Sequence, residues 1–206
     1  MEHIFRFWHI PLTILLFASL LATGCATTDD KATREVNAAL ELGGLYFAEN
    51  DIGKAIETYD RGLEVQPENE KLLYNKIAAL LKANRFDEAV KLAETSYGSH
   101  PKLLRFAKAQ ATGLELAGKP DEAIPVWEEI VSLDPADMES RVRLMQLLIK
   151  AQRYDAAAVH ARFLLERKSA DKAALEALST IDRAAGGTGE PWASLAEAGF
   201  PAPAQN

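Results

Sequence analysis

A chain of 206 residues, 48% of them hydrophobic and 26% charged, is long enough to bury a core and has the balance of a globular domain. Its formal charge of −7, from 30 acidic against 23 basic side chains, excludes general nucleic-acid binding, because neutralising phosphates requires a basic surface. One cysteine, Cys25, excludes an intrachain disulfide and any multi-cysteine metal site.

Residues 1–24 set Arg6 and the free amine against Glu2, then continue in an apolar run over 10–21 that only Pro11, Thr13 and Ser19 interrupt. The run is too short to favour a spanning helix and has the proportions of a signal-peptide core. It ends in Leu21-Ala22-Thr23-Gly24-Cys25, which resembles the lipobox of bacterial lipoproteins, although Ala22 stands where that family usually has Leu. The resemblance implies that Cys25 receives a diacylglyceryl group, becomes the first residue after cleavage and is then N-acylated. Each buried methylene of such chains adds about 0.8 kcal/mol of membrane affinity. Ala26, rather than Asp, follows the cysteine, and by the same resemblance this points to the periplasmic face of the outer membrane. An ordinary cleaved signal peptide and an uncleaved anchor remain the alternatives. Residues 25–33 lack apolar periodicity and read as a lipidated tether.

From residue 36 a 34-residue unit recurs. Ala55, Ala89, Ala123 and Ala157 are spaced by 34, and so are Pro67, Pro101 and Pro135. Such spacing means stacked helix pairs, none of which buries its apolar face alone. In the first unit, Leu42, Gly43, Tyr46, Ala55, Tyr59, Gly62 and Pro67 match the pattern of tetratricopeptide repeats, which the chain resembles over residues 34–169. Small Gly43 and Ala55 permit close helix approach, with Tyr46 and Tyr59 filling the space beside them. The second unit carries Leu73, Leu80, Phe86, Ala89 and Pro101, with Lys76 and Ile77 where Leu and Gly are usual, so a looser first helix is expected. The third has Ala111, Leu114, Gly118, Ala123, Trp127, Ile130 and Pro135; its Pro125 is expected in the first turn or so of a helix, where a missing N–H is tolerated. The fourth has Leu144, Leu148, Tyr154, Ala157 and Leu164, with Ser169 in place of the closing proline.

Leu175, Leu178 and Ile181 share one helical stripe behind Asp171, a suitable N-cap, so residues 170–185 are expected to form a capping helix. Gly186-Gly187-Thr188-Gly189 ends it. The 186–206 tail holds Trp192, Leu195 and Phe200, which either fold back on the cap, bind a partner or stay disordered. The predicted fold is therefore all-α, a solenoid of four helix-turn-helix repeats with a capping helix.

No constellation for catalysis is present. The motifs of zinc proteases, nucleophile elbows, phosphate loops and dinucleotide sites are missing, and paired carboxylates such as Asp121-Glu122 read as solvated helix faces. His160 is expected at the surface or a groove edge. No cofactor or metal is expected beyond the lipid on Cys25, and the chain is not expected to be an enzyme.

In tetratricopeptide proteins the first helix of each pair lines the concave surface, so the resemblance places repeat positions 2, 5, 6, 9, 12 and 13 there. Among the 24 such residues, six are basic (Lys71, Lys82, Arg105, Lys108, Arg143, Lys150) and three acidic (Glu41, Glu115, Glu139). With Phe47, Tyr74, Asn75 and Gln146, the basic residues form a candidate peptide-binding groove for an acidic segment or a C-terminal carboxylate. Asn75 and Arg105 match two positions of the family's five-residue carboxylate clamp, while Leu40, Gly44 and Ala109 depart from the rest. The resemblance extends to repeat lipoproteins that assemble pili and secretion pores. It implies a scaffold or assembly factor with a protein or peptide partner. An adaptor for cell-wall hydrolases or a protease is the alternative in the same physical class, and an enzyme or ligand carrier the alternative from another.

Overall fold

The computed structural model describes residues 12–168, 171–187 and 189, with side chains from residue 30 onward. The fold over these residues is all-α: α1 (Leu12–Ala48), α2 (Ile52–Val65), α3 (Glu70–Lys82), α4 (Phe86–Ser99), α5 (Leu104–Leu116), α6 (Pro120–Leu133), α7 (Met138–Lys150), α8 (Tyr154–Arg167) and α9 (Lys172–Ala184). Helix starts recur at the interval of the sequence repeat, at positions 70, 104, 138 and 172 for first helices and at 52, 86, 120 and 154 for second helices. The chain divides into two units, Met1–Lys76 and Ile77–Asn206, with the boundary inside α3.

In the first unit α1 packs against α2. Val36 and Ala39 of α1 and Ala55, Ile56 and Tyr59 of α2 are buried, as are Leu72 and Leu73 of α3. The small residues set the approach distance. A side chain at Gly43 would run into the Tyr59 ring, and one at Gly62 would lie 2.7 Å from Leu72 Cδ1 and 2.8 Å from the Ala39 methyl. Burial pushes the Tyr59 phenol above its ordinary pKa. Lys76 has its ammonium on Asp60 at 2.5 Å.

Residues 25–33, expected as a lipidated tether, instead lie within α1. Lys31, Arg34 and Glu35 are good helix formers, and the spacing brings Asp30 to Arg34 (3.2 Å) and Lys31 to Glu35 (3.6 Å), each pair adding a few tenths of a kcal/mol. Among the described residues no helix is long and apolar enough to cross a membrane.

In the second unit α4 through α9 pack in succession, each on the next, and α7 also meets α9. Ala89, Ala123 and Ala157 are fully buried at the helix crossings, as is Ala55 in the first unit. Ile77, in the position usually held by a small residue, is fully buried. α6 begins at Pro120, so Pro125 stands about one turn after Asp121, as expected, and the helix continues through it on an exposed side. Asp171 caps α9 as expected, accepting from the Ala174 N–H at 3.1 Å. After α9 the chain turns back: Ser179 Oγ donates to the Gly189 carbonyl (2.6 Å) and the Gly189 N–H donates to Asp182 (2.8 Å). Trp192, Leu195, Phe200 and Ser169 lie outside the described residues.

Every first helix ends the same way. Asn50, Asn84, Gly118 and Gln152, again evenly spaced, have φ of 64°, 58°, 73° and 58°. The next N–H in each case reaches back five positions to close the turn, as Arg153 does to Leu148 at 2.8 Å. Glycine and asparagine tolerate this left-handed backbone, but glutamine has no local side-chain bond to offset it. Gln152→Gly is therefore expected to stabilise the second unit by about 1 kcal/mol, read as a raised urea midpoint at constant slope. An unchanged or lowered midpoint would show that the Gln152 side chain contributes contacts that outweigh the strain.

Candidate functional site

The first helices present the residues singled out in the sequence, and the structure sorts them by what they touch. In the first unit, Asn37 and Leu40 of α1, the 66–69 loop and Lys71 of α3 line a hollow of about 740 Å³. Lys71 is exposed there; Phe47 and Asn75 are half-buried, and Tyr74 is 41% exposed.

In the second unit Lys82 of α3 and Arg143 of α7 are exposed, and Arg105 of α5 is half-buried with its guanidinium 5.3 Å from the Phe106 ring. Lys108 has a structural task. Its ammonium sits 2.5 Å from Asp137 Oδ2, and Asp137 is the N-cap of α7, accepting also from the Ser140 N–H (3.1 Å) and hydroxyl (2.6 Å). Burial alone raises the Asp137 carboxyl, but the bonds from Lys108 and Ser140 outweigh it and hold it below its ordinary pKa. Glu115 is likewise engaged, accepting the Trp127 indole N–H at 2.7 Å. The modest basic excess on the first-helix faces is thus partly taken up by α7 capping.

Gln146 and Lys150 come together with residues that the sequence pattern assigns to a cap. With Ile149 they form one wall of a hollow of about 240 Å³, and Ala173, Glu176, Ala177 and Thr180 of α9 form the other. These α9 residues occupy repeat positions 2, 5, 6 and 9, the groove positions of a first helix. α9 is therefore a fifth first helix as well as a cover for α8. The signal was present in the sequence, since Lys172 lies one full repeat after Met138. Loss of the proline at Ser169 hid it. The hollow combines an apolar floor (Ile149, Ala173, Ala177) with an amide, an ammonium, a carboxylate and a hydroxyl. That mixture suits a polypeptide segment, whose backbone takes the polar contacts and whose side chains take the floor.

His160 departs from expectation. It is half-buried on α8 with Nδ1 3.2 Å from Arg141 Nη1, and burial, then the Arg141 charge, holds its pKa below the ordinary value.

The profile of the tetratricopeptide repeat family matches residues 46–111 and 114–178. Small glutamine-rich tetratricopeptide repeat-containing protein 2 of Saccharomyces cerevisiae is 27% identical over 107 residues, which are 52% of this chain and 31% of that protein. The peroxisomal targeting signal receptor of Kluyveromyces lactis is 34% identical over 67 residues, 32% of this chain and 12% of the receptor. The chain thus spans under a third of the length of these two relatives. Among solved structures, YrrB, a tetratricopeptide protein with an unusual peptide-binding site, superposes with a TM-score of 0.64 at 17% identity, covering 84% of this chain and 89% of YrrB.

Proposed function

The chain belongs to the tetratricopeptide repeat family, and from that premise we propose that it is a docking scaffold for a polypeptide partner, held by a lipid on Cys25 at the periplasmic face of a bacterial outer membrane. Its task in this reading is the assembly of a pilus or secretion complex. The observation that carries the docking role is the hollow between α7 and α9, where Gln146, Lys150, Glu176 and Thr180 surround an apolar floor. A peptide-binding site in YrrB and a receptor for a targeting signal among the relatives support a polypeptide as the ligand class. The lipobox-like Leu21-Ala22-Thr23-Gly24-Cys25 supports the anchor.

A photo-crosslinking residue at Gln146 is expected to capture a polypeptide in cells, whereas one at exposed Glu94 on α4 is not. Lys150→Glu combined with Arg143→Glu should abolish the Gln146 product. Equal capture from both positions, or none from Gln146, would remove the docking role. A product that is a pilus or secretion component supports the assembly reading, and a cell-wall hydrolase replaces it with the adaptor reading.

Metabolic labelling with a fatty acid is expected to mark the wild-type chain and not Cys25→Ser, and an unlabelled wild type would refute the anchor. The two tests are independent, since a scaffold without a lipid could still dock its partner.

A further inference from the structure

The fourth repeat differs from the other three at positions that the fold brings together. Arg141 stands where Ala39, Leu73 and Ala107 stand in the other units, and His160 where Thr58, Leu92 and Val126 stand. Phe163 replaces Arg61, Thr95 and Glu129, and Arg167 replaces Val65, Ser99 and Leu133. The repeat does not need these residues in order to fold, because three of four units are built without them.

Their geometry is that of a charged site. Arg141 is only 7% exposed. Its Nη1 donates to His160 Nδ1 at 3.2 Å, and its Nη2 donates to the Pro135 carbonyl at 3.3 Å. A guanidinium cannot accept, so His160 receives at Nδ1 and carries its proton on Nε2. The Arg141 guanidinium carbon lies 3.6 Å from the centre of the Phe163 ring, and that of Arg167 lies at the same distance. Two groups so close to one ring centre must take opposite faces. Phe163 is therefore a spacer between two permanent cations, one buried and one exposed.

Neither cation has its charge met by a carboxylate among the described residues. Arg141 Nε is buried with no hydrogen-bond partner among them. Burial and then the Arg167 charge both work against the charged form of Arg141. A buried guanidinium left in this state is costly, and it uses only two of its five N–H donors on His160 and Pro135. A neutral apolar residue, such as Leu73 at the same repeat position, would avoid that cost.

We propose that Arg141 and Arg167, on the two faces of Phe163, form a binding site for a carboxylate presented by an acidic segment of a partner protein. A carboxylate fits better than a phosphate because the exposed member of the pair, Arg167, presents its N–H donors along the edge of one plane. That edge matches two coplanar oxygens, whereas a tetrahedral dianion needs donors from several sides. His160, kept neutral, orients Arg141 and adds no charge. The site is separate from the first-helix faces: Phe163 and Arg167 belong to a second helix, and Arg141 is at none of the groove positions.

The test uses the full chain and an N-acetylated, C-amidated tetraglutamate peptide, titrated at low salt and followed by calorimetry and the arginine side-chain Nε–H resonances. Arg141→Leu, copying the second repeat, and the exposed Arg167→Ala are each expected to weaken binding about ten-fold or more. Arg143→Ala, on the α7 groove face, should leave it unchanged. Arg141→Leu should also keep the helical signal; should it misfold, Arg167→Ala alone decides. No binding of tetraglutamate by the wild type, a loss in Arg143→Ala equal to that in Arg167→Ala, or displacement by inorganic phosphate at equal concentration each overturns the proposal. The first leaves the docking role of the α7–α9 hollow intact, and the second would transfer the acidic ligand to the exposed α7 face that carries Arg143.

Discussion

Trp127→Ala is expected to lower the stability of the second unit by about 3–5 kcal/mol. Trp127 projects from α6 into the core of that unit and is 3% exposed, beside Ile124, Ile130 and the α7 residues Leu144 and Leu148, all of them fully buried or nearly so. Its removal leaves a cavity that the rigid helix pairs on either side cannot collapse to fill, because α6 is held by α5 and α7 together. The indole N–H is also the donor to Glu115, 2.7 Å away. Trp127→Phe separates the two contributions: it keeps most of the volume and loses only the bond, and since Glu115 is half-buried its carboxylate can recover water, so a loss of about 1 kcal/mol is expected. Urea unfolding followed by far-ultraviolet circular dichroism measures both. A loss below about 1 kcal/mol for the alanine variant would contradict the packing described for α6.

Gly43→Ala is the second large effect, and it acts in the first unit. By helix propensity alone the substitution is favourable by about 1 kcal/mol, since Gly43 sits well inside α1. The Tyr59 ring decides the sign. Any Cβ at Gly43 runs into that ring, which is 2% exposed on α2 and has no room to withdraw. Overpacking of this kind costs about 1–3 kcal/mol, so a net destabilisation is expected. Gly43→Ala combined with Tyr59→Leu should recover part of the loss, because the smaller side chain yields the space the methyl takes. Additive losses in the double variant would show that the two positions do not compete.

Both effects trace to positions that the sequence itself marks. Gly43, Ala55, Ala89, Ala123 and Ala157 are legible in the sequence because a helix crossing admits only small residues, and a repeated crossing repeats them at fixed spacing. The cap at Asp171 was equally legible, since capping depends on one residue and its local backbone. What could not be read depends on partners without periodicity. Lys108 and Asp137 stand near opposite ends of the third repeat, and nothing in the spacing of either announces their ion pair. The same holds for His160, whose place follows from Arg141 filling a position that other units give to Ala or Leu. α9 lies between these cases. Its register was present in the sequence, but the proline that marks the end of a unit is replaced by serine, so the helix read as a terminus.

The position of α9 bears on how a chain of this kind can change in size. α9 begins one full repeat after α7 and packs on both α7 and α8, so the junction it makes is the one that another helix pair would need. A duplicated repeat, inserted in register ahead of Asp171, would offer α8 the face it already accepts and would receive α9 on an unchanged surface. Since stability in such arrays accumulates by nearest-neighbour steps, the insertion would add its own increment without disturbing either end. Growth and loss of whole helix pairs are thus open to this protein as single genetic events, with α1 and α9 carried along unaltered.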